Sequence, residues 1–156
     1  MQTRLKPARV AKRDRILALH RLASHTETDN ARRLAERLRA LDAEEHRLKQ
    51  ISSYLAEYTE SGRTAPAAVT IRSLRSGRGF LERLCAAVDE QQGTVEFQRR
   101  KAAEQTGQWQ AARARARSLE KLSDRLGEQE QERLDRREQN RLDEIATSRG
   151  TSQPKV

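Results

Sequence analysis

Apolar residues in this chain recur every seven positions. The row Leu74, Leu81, Val88, Val95, Ala102, Trp109 and Ala116 is apolar throughout. Its companion row, Leu84, Gln91, Gln98, Gln105, Ala112, Leu119 and Leu126, carries three glutamines that weaken the middle of the stripe. Upstream, Leu34, Leu41, Leu48 and Leu55 repeat the interval, with Ala31, Leu38, Glu45 and Ser52 as companions. A seven-residue apolar repeat lays one narrow stripe along an α-helix, and a second helix must cover it, as in a coiled coil. Acids and bases alternate around both stripes as on a solvated helix face.

Proline marks the ends of these stretches. Pro7, Pro66 and Pro154 are the chain's three prolines, and proline is disfavoured inside a helix. The pattern predicts helix one over about 8–60, a turn over about 61–66 and helix two over about 67–147. In the stretch Glu60 to Ala68, Gly62 suits a helix C-terminus, Pro66 a first helical turn, and Thr64 can cap the second helix. At about 1.5 Å per residue the helices would be roughly 75 Å and 120 Å long. A short turn makes them antiparallel, with residue i opposite about residue 132 − i. The later part of helix two then has no partner. The fold class is therefore all-α: a long antiparallel two-helix coiled-coil hairpin with an overhanging C-terminal helix. It forms one unit over 1–149, and 150–156 form a disordered tail. Gly93, Gly107 and Gly127 lie inside helix two, each costing roughly 1 kcal/mol relative to Ala, so local softness is expected there.

Composition sharpens this picture. Charged and hydrophobic residues each make up 35% of the 156 residues, and aromatics only 3%. That supply suits a seam between helices rather than a thick core. The net charge of +9 is concentrated at the start: over residues 1–23, Arg4, Lys6, Arg9, Lys12, Arg13, Arg15 and Arg21 face only Asp14. Such an arm attracts nucleic acid, an anionic membrane or an acidic protein surface. A lone cysteine, Cys85, permits no internal disulfide and suits a reducing compartment. No apolar run has the length of a membrane span or a signal peptide, so no transmembrane segment and a cytoplasmic location are expected.

The residues point away from catalysis. Ser76-Gly77-Arg78-Gly79 lacks the spacing and the lysine of a phosphate-binding loop. His20, His25 and His46 are too scattered for a zinc site, and a second cysteine is missing. Carboxylates interleave with arginines at helical spacing, as in exposed i,i+4 pairs. A two-helix hairpin also offers no concave pocket to exclude water. No enzyme activity, cofactor or metal is expected.

Partner binding is the alternative. Tyr54 and Tyr58 lie off the Leu48–Leu55 row, and Phe80 lies off the Leu81–Leu84 seam; the antiparallel register gathers all three, with Ile51, Leu84 and Ala87 extending the surface. Aromatic clusters outside a seam either anchor an interface or brace the hairpin near its turn. Helix two from Leu119 to Ala146 carries Leu119, Leu122, Leu126, Leu134, Leu142 and Ile145, and beyond about residue 124 helix one places nothing opposite it. It either continues into solvent or takes a foreign partner. The basic arm followed by heptad leucines also imitates a basic-leucine-zipper factor, but Arg4–Arg21 contains no Asn to read adenine, and a turn with a longer helix follows.

Several of these residues recur in a familiar order. Tyr54-xxx-Tyr58, Gly62, Phe80-Leu81-xx-Leu84-xx-Ala87-xxx-Gln91, Trp109, Leu119-Glu120-Lys121-Leu122-xx-Arg125, Glu138-Gln139 and Asp143-Glu144-x-Ala146 together resemble the FliJ family of flagellar export proteins over about residues 10–149. The resemblance implies an antiparallel coiled coil similar to the central stalk of rotary ATPases, peripherally associated with the inner face of the cell membrane. It implies as partners the hexameric export ATPase (FliI) and its regulator (FliH), the export-gate membrane protein (FlhA) and substrate-specific export chaperones, with activation of the ATPase and no nucleic acid. Gate-facing positions carry over to Arg47, Ile51, Tyr54, Tyr58, Phe80, Leu84, Ala87 and Gln91. Arg47 stands where the family has glutamine, Ile51 replaces a leucine, and Gln91 occupies a histidine or glutamine position. The ATPase contact would fall on Arg13, Leu119, Leu122, Arg125, Leu126, Arg133, Arg137 and Leu142. An injectisome stalk protein or a basic coiled-coil nucleic-acid binder are the alternatives, separable by genomic neighbourhood and by salt-dependent duplex binding.

Overall fold

In a computed structural model, backbone is described for residues 8–64 and 71–150, and side chains for 12–64 and 74–148. Two helices account for all of it: α1 over Ala8–Thr64 and α2 over Ile71–Gly150. They pack against each other as a hairpin, with no strand among the described residues. The prolines bound rather than interrupt them. Serine and threonine side chains inside both helices bond back to the preceding turn, as Thr59 does to the Leu55 carbonyl at 2.7 Å and Thr106 to that of Ala102 at 2.9 Å.

The chain divides into two compact units, residues 1–27 with 112–156, and residues 28–111. In the second unit, Gln105 Nε2 donates to Asn30 Oδ1 at 3.0 Å, and Gln91 Nε2 donates to Glu44 Oε2 at 2.6 Å. Both pairs obey 135 − i. The helices are thus antiparallel, three residues out of the register expected from a turn at Pro66. That turn, including Pro66, lies outside the described residues. α1 runs on past Gly62 to Thr64, and no glycine among the described residues takes a positive φ, so Gly62 does not end the helix. The Thr64 hydroxyl donates backward, to the carbonyls of Glu60 and Ser61.

On α2 both expected rows face the seam, except at the start. Leu81, Val88, Val95, Ala102 and Trp109 are buried or half-buried, as are Leu84, Gln91, Gln98 and Gln105, whereas Leu74 is exposed. At that level α1 offers Ser61, Gly62, Arg63 and Thr64, all exposed and none apolar. On α1 the row Leu34, Leu41, Leu48 and Leu55 is half-buried; of its expected companions Ser52 is half-buried but Ala31, Leu38 and Glu45 are exposed, and Asn30, Glu44 and Ile51, though not Arg37 between them, are half-buried instead. The seam thus turns toward polar α1 residues because glutamines of α2 satisfy them there. Glu45, on the flank, pairs with Arg99 at 2.7 Å.

In the first unit, Arg13 Nη1 reaches Glu130 Oε2 at 3.5 Å, and Ala23, Ala116 and Ser123 are buried in the seam. A Cβ added to Gly127 would stand 3.0 Å from Arg13 Nη2, so the glycine leaves room for the guanidinium. From Gln131 to Ser148 every residue is exposed.

The buried apolar core among the described residues is only Ala23, Val95, Ala102 and Ala116, with no large side chain fully covered. Small residues let the helices approach closely, and the flanking half-buried leucines supply most of the area removed from water. Gly93 and Gly107 have nothing within 4 Å of where a Cβ would sit. Replacing each with Ala is expected to raise stability by about 0.5–1 kcal/mol through the unfolded chain's lost freedom. Urea denaturation followed by circular dichroism checks it; unchanged or lower midpoints in both variants would show that these glycines serve a contact.

Candidate functional site

The residues expected to face a gate protein lie within the second unit. Tyr58 and Phe80 meet across the two helices with ring centroids 4.8 Å apart and planes at 60°, the tilted geometry that aromatic quadrupoles favour. The Tyr58 hydroxyl rests over Gly77, where an added Cβ would sit 3.4 Å away. With Ser76 and Arg83 these rings line a shallow depression. Tyr54, one helical turn before Tyr58, is 63% exposed. Ile51, Leu84 and Ala87 are half-buried beside the patch. The antiparallel register thus brings Tyr58 to Phe80, while Tyr54 stands exposed one turn away, and the Tyr58 and Phe80 rings both brace the hairpin and present apolar surface.

Two residues of that set belong to a polar layer. Gln91 is only 9% exposed and donates to the backbone carbonyl of Glu44 at 3.2 Å as well as to its carboxylate. Arg47 is exposed, and its Nη1 donates to the same carboxylate oxygen at 3.4 Å. Gln91 therefore sits in the seam rather than on the outer face. Spacing alone did not single out Glu44, whose signal was an acid at a seam position facing a glutamine.

The second set lies within the first unit. Leu119 and Leu126 are half-buried in the seam, while Leu122, Arg125, Arg133, Arg137 and Leu142 are exposed. Arg13 is held between Glu130 and the notch at Gly127. Leu142 and Ile145 line a shallow groove with Arg137, Glu138 and Arg141 on α2 alone. The fit of Arg13 against Gly127 escaped sequence reasoning, since it depends on apposition across the hairpin.

No group of three or more His, Cys, Asp or Glu residues among those described could hold a metal. No helix is long and apolar enough to cross a membrane among the described residues. A family model described as flagellar FliJ protein matches residues 12–155, nearly the whole chain. The chain belongs to the FliJ family. FliJ proteins are non-catalytic components of flagellar protein export, so this is a flagellar export-related protein. No curated protein and no solved structure matches the chain.

Proposed function

We propose that this FliJ-family chain couples partners of the flagellar export apparatus, contributing to the hexameric export ATPase in the manner of a central stalk and to the membrane export gate through separate surfaces. The exposed stretch of α2 from Gln131, overhanging the hairpin, enters the ATPase ring and stimulates it. Tyr54, Tyr58 and Phe80 receive the gate protein, and export chaperones are further partners. The protein works at the inner face of the cell membrane.

The observation that carries this reading is the exposure of Leu134, Leu142 and Ile145 on a stretch in which every described residue is exposed. Leu134 and Ile145 continue the seam face of Ala116, Ser123 and Glu130 at helical spacing. A stripe of that kind gains stability only against another surface.

The test is ATP hydrolysis by the export ATPase titrated with the full chain, with a truncation ending at Gln131, and with Leu134→Glu/Leu142→Glu in the full chain. The truncation keeps Glu130 and its pairing with Arg13. Saturable stimulation by the full chain, reduced at least tenfold in both variants, is expected. Full stimulation by the truncation would overturn the placement of the ATPase contact, and no stimulation by the full chain would overturn the stalk role.

A further inference from the structure

Within the first unit, a groove between α1 and α2 is lined by Leu19, Leu22, Ala23, Thr26, Ala112 and Arg115. Leu19 is 45% exposed and Leu22 65% exposed. Leu122, one heptad beyond Arg115, is exposed but lies outside the groove lining. These side chains lie outside both sets of residues assigned above, apart from Leu122. Single exposed leucines are ordinary, but two lining one groove form an apolar patch that marks an interaction site.

Bases gather at one end of the groove. Lys12 lies seven residues before Leu19, Arg15 seven before Leu22, and Arg115 seven before Leu122. Residues seven apart share a helix face, so each exposed leucine has a base on its own row. At the other end Asp29 follows Leu22 by one heptad, and Glu27 lies one turn after Ala23. Lys12, Arg15 and Arg115 make no ion pair among the described residues.

From this we infer that the groove docks an amphipathic helix of a partner protein whose apolar stripe is flanked by Asp and Glu. Two adjacent helices form a trough that a third helix fills with anchors at i, i+3 or i+4 and i+7. Apolar anchors seat against Leu19, Leu22 and Ala112, and flanking carboxylates meet Lys12, Arg15 and Arg115. A second copy of this chain does not suit the groove, because a two-fold contact would bring the same three bases face to face. A nucleic acid would use the bases and leave the leucines uncovered. This docking is separate from the proposed ATPase and gate contacts.

The experiment measures fluorescence anisotropy of a labelled synthetic helix with Leu at i, i+3 and i+7 and Glu on both flanks. A peptide of the same composition, scrambled to destroy the apolar stripe, and a labelled DNA duplex are run alongside against the full chain. Saturable binding of the amphipathic helix is expected, at least tenfold tighter than the scramble. Leu22→Ser should weaken it at least fivefold, and Arg15→Glu/Arg115→Glu at least tenfold; both alter exposed positions, and circular dichroism verifies folding. Absence of binding overturns the inference. So does equal binding of helix and scramble, or tighter binding of the duplex with no response to Leu22→Ser, since either would leave only polyanion attraction.

Discussion

Alanine at Tyr54, Tyr58 and Phe80 together is expected to weaken binding to the export gate's cytoplasmic portion by about 100-fold or more, while ATPase stimulation stays within about twofold of the parent chain. Central aromatic anchors each contribute about 2 kcal/mol or more to a protein interface, and 1.4 kcal/mol is tenfold in affinity. Tyr54 has most of its surface free, so its loss removes contact area without disturbing the seam. Tyr58 and Phe80 also hold each other across the hairpin, and their pairing contributes about 0.5–1.5 kcal/mol to folding beyond the area they bury. A modest stability loss therefore accompanies the binding loss. Tyr54→Ala alone separates the two, because it should reduce affinity with no change in unfolding midpoint. Titration calorimetry with the triple variant decides the matter: unchanged affinity means that the rings only brace the hairpin.

The second large effect concerns packing. Ala102 is 4% exposed, whereas Ala103 beside it is exposed. Ala102→Asp should cost about 3–5 kcal/mol, because it places an unpaired carboxylate at a close helix approach and forces the helices apart. Ala103→Asp should stay within about 0.5 kcal/mol, as surface substitutions do. Thermal melts of the two variants compare like chemistry at adjacent positions. Equal midpoints would mean that the seam does not run where the burial pattern puts it.

The repeat that predicted the hairpin was legible because Leu81, Val88, Val95, Ala102, Trp109 and Ala116 form an uninterrupted apolar row, and few structures other than a helical seam produce one. The α1 companion row was misread for a physical reason. Hydrophobicity favours Leu38 over Arg37 and gives Asn30 and Glu44 no claim to a buried face. Those polar residues become acceptable only when Gln105 and Gln91 arrive opposite them with donors. That match is a property of two helices in one register, and no single helix displays it. The register itself shifted by three residues because α1 persists through Gly62 to Thr64, where glycine alone suggested an end. The shift moved Tyr58 toward Phe80, since residue 80 stands opposite 52 in the expected register and opposite 55 in the observed one. The Arg13 notch at Gly127 was illegible for the opposite reason: it depends on the absence of a side chain, and a glycine inside a helix otherwise looks like a weakness.

The thinness of the buried core also sets how stability responds to temperature. Heat capacity rises on unfolding chiefly because apolar surface meets water, by about 0.45 cal/K/mol per Å², while newly exposed polar surface lowers it by about 0.26. A seam whose fully buried apolar residues are three alanines and a valine, interleaved with Gln91, Gln105 and Ser123 and flanked by half-buried leucines, exposes less of the first kind than a thick core does and a fair share of the second. The increment per residue therefore falls below the usual value for globular domains. A small increment gives a stability curve with little curvature, so this chain goes on gaining stability well below its melting point and its cold denaturation moves to lower temperature.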